Sequence, residues 1–229
     1  MNVLVACEES QAVCKAFREK GHQAFSCDIL DCSGEHPEWH IKDDVMNVIN
    51  GYVRFETCDG EIHHNVYYGT WDMVIAFPPC TYLTVTGNRW FNVERYGEKA
   101  KERWFNRFKS IDFFKAIAGC NCEKVAIENP IGVMSSCYRK PDQIIHPYMF
   151  GEPERKATCL WLKNLPKLKP TDIVEPRIIK YKNGKGTDSP WHMDTMGLPG
   201  DERAKLRSKT FKGIADAMAE QWGQEELNG

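Results

Sequence analysis

Four short apolar runs, separated by stretches of helical spacing, constrain this chain most. They are NVLVAC (2–7), QAFSCDIL (23–30), WDMVIAF (71–77) and KVAIENP (124–130). A near-continuous apolar run of strand length suits a strand covered on both faces, as in a parallel sheet. Between the first two, QAVCKAFREKGH places Ala12, Val13, Ala16 and Phe17 at helical spacing and stops at Gly21. KERWFNRFKSIDFFKAIAG (101–119) reads as a long amphipathic helix with Trp104, Phe105, Phe108, Ile111 and Phe114 on or near one face. Near the end, Ile214, Met218 and Trp222 form the stripe of a helix predicted to pack on the sheet. Strands alternating with helices predict an α/β, Rossmann-like fold: a mostly parallel sheet with helices on both faces.

Between Val45 and Trp71 the alternation around Asp59-Gly60 predicts a β-hairpin, an insertion over residues 46–70. His63 and His64 lie on it and are read as surface histidines, because neighbours on a strand face opposite ways. DDVMNVING predicts a short helix or turn. Residues 160–206 are rich in proline and turn residues and read as a short irregular region. No linker or low-complexity run divides the 229 residues, so the expectation is a single domain over 1–229.

Thirty basic and 32 acidic residues give a net charge of −2, which argues against nucleic-acid binding by whole-molecule charge. Local basic runs remain: Lys99 to Lys109, Leu162 to Lys169 and Lys180 to Lys185. Each alone reads as a solvated face. Tyr181 and Trp191 near the last run suggest a groove for nucleic acid. The ten cysteines, the absence of a secretory leader and the absence of a membrane-length apolar window predict a cytoplasmic protein with free thiols. Cys27, Cys32, His36 and His40 are close in sequence, as are Cys120 and Cys122, but neither group has the paired spacing of a structural zinc site. The expectation is no metal.

In open α/β sheets, ligands bind beyond the carboxyl ends of the strands. Here those ends carry Ala6-Cys7-Glu8-Glu9-Ser10, Asp28, Pro78-Pro79-Cys80 and Glu128-Asn129. They are predicted to converge on one crevice. Three roles are open to Cys80: core packing, metal binding or nucleophilic attack. A nucleophilic thiol needs exposure, a suitable pKa and a positioned partner. A glutamate beside it is a poor activator of a thiolate but suits hydrogen bonding or proton transfer to a ring edge.

Pro78-Pro79-Cys80 and Glu128-Asn129 resemble the Pro-Cys and Glu-Asn signatures of the DNA cytosine carbon-5 methyltransferases. FGEPERKAT (150–158) is similar to that family's arginine-bearing segment: Gly151, Pro153 and Arg155 match, Glu154 stands for a glutamine, and the second arginine is absent or shifted to Lys156. The resemblance runs from Val3 to about Thr158. It implies a class I S-adenosylmethionine-dependent fold, Cys80 as nucleophile towards C6 of cytosine, Glu128 on the N3/N4 edge, Arg155 as donor to the base carbonyl, and Asn129 as a brace for the glutamate loop. It further implies that Ala6, Cys7, Glu8, Ser10, Asp28, Asp44 and Pro78 line the S-adenosylmethionine site, with Asp28 on the ribose diol and Asp44 near the adenine. Two features depart from the family: the first-strand turn has no glycine, and residues 160–206 are too short for its target-recognition domain. Duplex DNA, single-stranded DNA and a free pyrimidine nucleotide are thus all open as substrate. An amino-group methyltransferase and a non-catalytic binding domain are the competing readings. The compactness fits a bacteriophage or prophage enzyme that modifies DNA.

Overall fold

The computed structural model describes residues 1–181 and 187–224, without the side chains of 65–69 and of Asp201. Lys182 and Lys185 of the third basic run lie outside the described residues.

In chain order the strands are β1 (Asn2–Ala6), β2 (Gln23–Asp28), β3 (His40–Lys42), β4 (Tyr52–Glu56), β5 (Ile62–Gly69), β6 (Met73–Ala76), β7 (Lys124–Pro130), β8 (Gln143–Ile145), β9 (Thr158–Lys163), β10 (Ile179–Lys180) and β11 (Thr187–Asp188). The helices are α1 (Ala12–Glu19), α2 (Val93–Tyr96), α3 (Glu98–Ala118), α4 (Met134–Cys137), α5 (Pro190–Asp194), α6 (Gly200–Ser208) and α7 (Lys212–Trp222). Seven strands form one sheet in the order β3-β2-β1-β6-β7-β9-β8. The pairs from β3 to β7 are parallel, whereas β9 runs antiparallel to both β7 and β8. The fold is therefore α/β with a mostly parallel central sheet, compatible with a Rossmann-like fold. The chain leaves β1 towards β2 and β3 on one side and returns to β6 and β7 on the other. That reversal opens a crevice at the carboxyl end of β1 and β6.

Alternation along β1 explains the two layers. Val3 and Val5 face a core with Val13 and Phe17 of α1 and Ile214, Met218 and Trp222 of α7. Leu4 and Ala6 face a second core with Ile111, Phe114 and Ile117 of α3. Helices thus cover both faces of the sheet, as the apolar runs require. β4 and β5 form the expected hairpin across Asp59-Gly60, and it stands outside the main sheet.

Three expectations need correction. Residues 160–163 belong to β9, which is wedged into the central sheet with Leu160 and Trp161 buried, so the irregular region begins after Lys163. His63 is half-buried and packs on Phe55 and Phe25 at ring-centroid distances of 4.8 and 4.9 Å. On α3, Ile111 and Phe114 face the core, but Trp104, Phe105 and Phe108 are exposed. An ideal helix turns 100° per residue, so Phe105 lies far round the helix from buried Arg107.

Candidate active site

The loop after β6 carries Pro78, Pro79 and Cys80. Pro78 is buried, while Pro79 and Cys80 are exposed. A tight turn follows, with the Cys80 carbonyl accepting from the Leu83 and Thr84 amides at 2.9 and 3.1 Å. This loop is laced to the one after β7: Val85 N donates to Ile131 O (3.2 Å), and Val133 N donates to Leu83 O (2.9 Å). Gly132 makes the lacing possible, because a Cβ there would sit 2.1 Å from the Leu83 carbonyl oxygen. Inside the crevice, Asn129 Nδ2 donates to Pro78 O at 2.8 Å. Asn129 is thus a brace, but for the Pro-Pro loop.

This lacing brings Cys80 and Glu128 into one electrostatic neighbourhood. The Cys80 thiol is raised above its ordinary value, first by burial of its sulfur environment and then by the Glu128 charge, while Lys156 pulls it down. Glu128 is likewise raised by burial, opposed by Lys156 and by a hydrogen bond from Thr158. At neutral pH the arrangement favours a thiol beside a carboxyl that holds its proton more readily than usual, with an ammonium able to support a thiolate. Lys156, which the sequence offers only as a shifted counterpart of the family's second arginine, joins Cys80 and Glu128 here. It arrives because β9 is antiparallel, so its start lies at the carboxyl edge of β7, where Thr158 pairs with Pro130. Lys156 Nζ also donates to Arg207 O at 3.1 Å and lies 5.6 Å from the Trp191 ring centroid.

Arg155 stands apart from this group. It is exposed and lines a cavity of about 210 Å³ with His146, Ala157, Thr187, Asp188 and Ser189. Its Nη1 reaches Thr187 Oγ1 at 3.4 Å. Glu154, in the place of the family's glutamine, is buried, pairs with Arg177 and accepts from Trp191 N at 3.3 Å.

On the other side of the crevice, the turn after β1 solves the lack of glycine unusually. Cys7 and Gln11 both adopt left-handed backbone conformations, with φ of 59° and 57°. Glu8 folds under this turn and accepts from Val13 N (2.7 Å) and Cys14 N (3.2 Å), so the chain's own carboxylate sits on the N-terminus of α1. Burial pushes Glu8 up to about 7 despite these donors. Buried Gln11 pins the turn to the next loop through His36 O (2.8 Å), and Glu9 accepts from Ser33 Oγ. Ser10 is half-buried between them.

Cys7, Asp28 and Asp44 converge. Burial and then the charges of Asp28 and Asp44 raise the Cys7 thiol to about 12, so Cys7 is an inert wall. Asp28 Oδ1 accepts from Leu30 N at 2.9 Å, and burial raises its pKa. Asp44 is exposed and caps the following turn by accepting from Met46 N at 3.0 Å. Beside Asp28, Ile29 is 71% exposed, an apolar surface at the mouth of the crevice. Ala6 is fully buried in the sheet.

The suggested zinc groups are otherwise engaged. His40 contacts Ser26 Oγ (2.8 Å) and Leu30 O (3.0 Å), His36 stacks on Trp39, and Cys122 Sγ donates to Trp71 O (3.2 Å). Among the described residues no three His, Cys, Asp or Glu side chains gather as metal ligands.

No family model and no curated protein matches this chain. Among the described residues no helix is long and apolar enough to cross a membrane.

Proposed function

We propose that this chain is an S-adenosylmethionine-dependent methyltransferase that modifies C5 of cytosine in DNA through a covalent bond from Cys80 to C6. The observation that carries the reading is the grouping of Cys80, Glu128 and Lys156 at the carboxyl edge of the sheet, across the crevice from Asp28 and Asp44.

The cofactor half favours this cofactor over a dinucleotide. A pyrophosphate needs free amide donors at the first helix N-terminus. Glu8 already takes two of them. S-adenosylmethionine has no phosphate, and its cationic centres and ribose diol match a wall of Asp28 and Asp44. When bound it supplies an electrophilic methyl group.

On the substrate side, Cys80 loses its proton to water and its sulfur forms a bond to C6, supported by the Lys156 charge. Glu128 delivers a proton to N3 as electron density moves from the C5–C6 double bond. C5 then takes the methyl group, its own proton leaves to water, and the ring is restored as the sulfur departs as thiolate and N3 returns its proton to Glu128. Asn129 holds the Pro78 carbonyl and hence the thiol position. Arg155, in its separate cavity, has the character of a contact to the nucleotide's periphery.

The amino-group alternative needs an aromatic ring offered for stacking near the end of the motif. Tyr82 is instead tied down: its hydroxyl accepts from Asn106 Nδ2 (3.4 Å) and Arg103 lies 5.0 Å from its ring centroid. The test is incubation with S-adenosylmethionine and an oligonucleotide carrying 5-fluorocytosine. A stable adduct at the peptide containing Cys80 is expected. Absence of the adduct from protein shown to bind the cofactor removes the C5 mechanism.

A further inference from the structure

A second surface joins the Cys80 loop and has no role in the chemistry above. From Asn88 to Lys109, seven basic residues stand against three acidic ones, a surplus of +4 in a chain whose net charge is −2. Aromatic rings lie open among these charges: Trp90 is 42% exposed, Trp104 38%, Phe105 59% and Phe108 58%. Several cations already sit over rings. Lys109 Nζ is 4.4 Å from the Phe105 centroid, Arg89 is 4.7 Å from Trp90, and Arg107 is 3.5 Å from Phe91 and 5.3 Å from Trp104.

The surface is rigidly oriented. Trp104 Nε1 donates to Phe91 O at 3.1 Å, which fixes the indole plane. Arg107 is buried and bonds Tyr82 O (2.7 Å) and Asn88 Oδ1 (2.8 Å), while Arg103 Nη2 donates to Thr81 O (3.0 Å). The patch is therefore built directly onto the loop that presents Cys80.

We propose that this surface, the turn 85–91 with α2 and the outer face of α3, is a stacking platform for single-stranded nucleic acid flanking the base presented to Cys80. The placement of the target base rests on the reading of Cys80 given above. Strand binding itself does not. Open aromatic faces stack on bases of any sequence, and interleaved cations follow the phosphates. A duplex hides its base faces from such a platform. A second copy of this chain fits poorly, because a two-fold contact would press two +4 surfaces together.

The test is fluorescence anisotropy of the full chain with labelled oligothymidine of about 20 nucleotides, longer than the 4–16 that one such groove covers. Oligothymidine has no cytosine, so its binding is independent of C5 chemistry. Single strand is expected to bind more tightly than the matched duplex. Trp90→Ala is expected to lose about 5- to 140-fold in affinity, from about 1–3 kcal/mol per stacked base, and the Phe105→Ala/Phe108→Ala double variant at least about 25-fold, from twice that energy. Lys101→Glu/Lys109→Glu is expected to lower the slope of log affinity against log salt by about 1.4, at about 0.7 per phosphate. Folded variants that bind like wild type overturn the proposal. So does a wild-type dimer that the phenylalanine pair splits without change in strand affinity. Variants that lose strand binding, in a protein that never traps 5-fluorocytosine, uphold the platform and sink the Cys80 reading alone.

Discussion

Gly132→Ala tests whether the lacing of two loops sets the position of Cys80. The new methyl would lie 2.1 Å from Leu83 O, 2.8 Å from Leu83 C and 3.2 Å from Thr84 Cα. Ordinary contact begins at 3.4 Å, so the 80–84 loop must retreat by roughly 1.3 Å, the difference between those distances. The obstacle is backbone, so no side-chain rotation relieves it. Such overpacking costs about 1–3 kcal/mol. At about 2–4 °C per kcal/mol for a chain of this size, the melting temperature should fall by roughly 2–12 °C. A displacement of about 1 Å at a reacting group lowers rate by about 100-fold. The assay is the rate of adduct formation with 5-fluorocytosine oligonucleotide, read beside calorimetric binding of S-adenosylmethionine, which should hold because the proposed cofactor wall of Asp28 and Asp44 follows other strands, β2 and β3. Gly197→Ala is the control, since its added methyl meets nothing within 4 Å. A Gly132→Ala protein that melts and traps like wild type would refute the lacing argument.

Three further outcomes follow from the electrostatics. Glu128→Gln should let Cys80 alkylate at lower pH, and Lys156→Ala should require higher pH, when iodoacetamide labelling is followed against pH; shifts of the opposite sign would contradict the grouping. Glu8 is raised in the folded chain from 4.5 to about 7, so its protonated form favours the fold. That contribution is complete below pH 4.5 and is lost as pH rises through about 7, a loss of about 3 kcal/mol that Glu8→Gln should flatten in denaturant titrations. Asp28→Asn should weaken S-adenosylmethionine binding about 10- to 100-fold by calorimetry, the range for losing hydrogen bonds to a charged group, and an unchanged affinity would remove Asp28 from the cofactor wall.

Much of this architecture was readable because it is local. The apolar runs of β1, β2, β6 and β7 each declare a buried strand, and the rule that ligands gather at strand carboxyl ends then groups Cys80 with Glu128 and Cys7 with Asp28. Antiparallel β9 was harder to read. TCLWLK has strand character, but only pairing with β7 and β8 shows that it reverses direction and carries Lys156 to the site. Glu8 enters the cofactor list through the family resemblance, and nothing in the sequence shows that its carboxylate turns back onto the Val13 and Cys14 amides. Helical spacing likewise placed Trp104, Phe105 and Phe108 with Ile111 and Phe114. In the fold Arg107 lies over Phe91 and bonds Tyr82 O and Asn88 Oδ1, long-range contacts that helical spacing does not reveal, while Trp104, Phe105 and Phe108 stay outside.

The central claim is that Cys80 opens a cytosine ring to methylation at C5. DNA from cells producing the protein, digested to nucleosides and measured by mass spectrometry, tests it most directly beside a Cys80→Ser control. The account predicts 5-methyl-2′-deoxycytidine above background with the wild-type chain and none above background with the serine variant. Equal levels in the two, or a methyl group on an exocyclic amine, would contradict it.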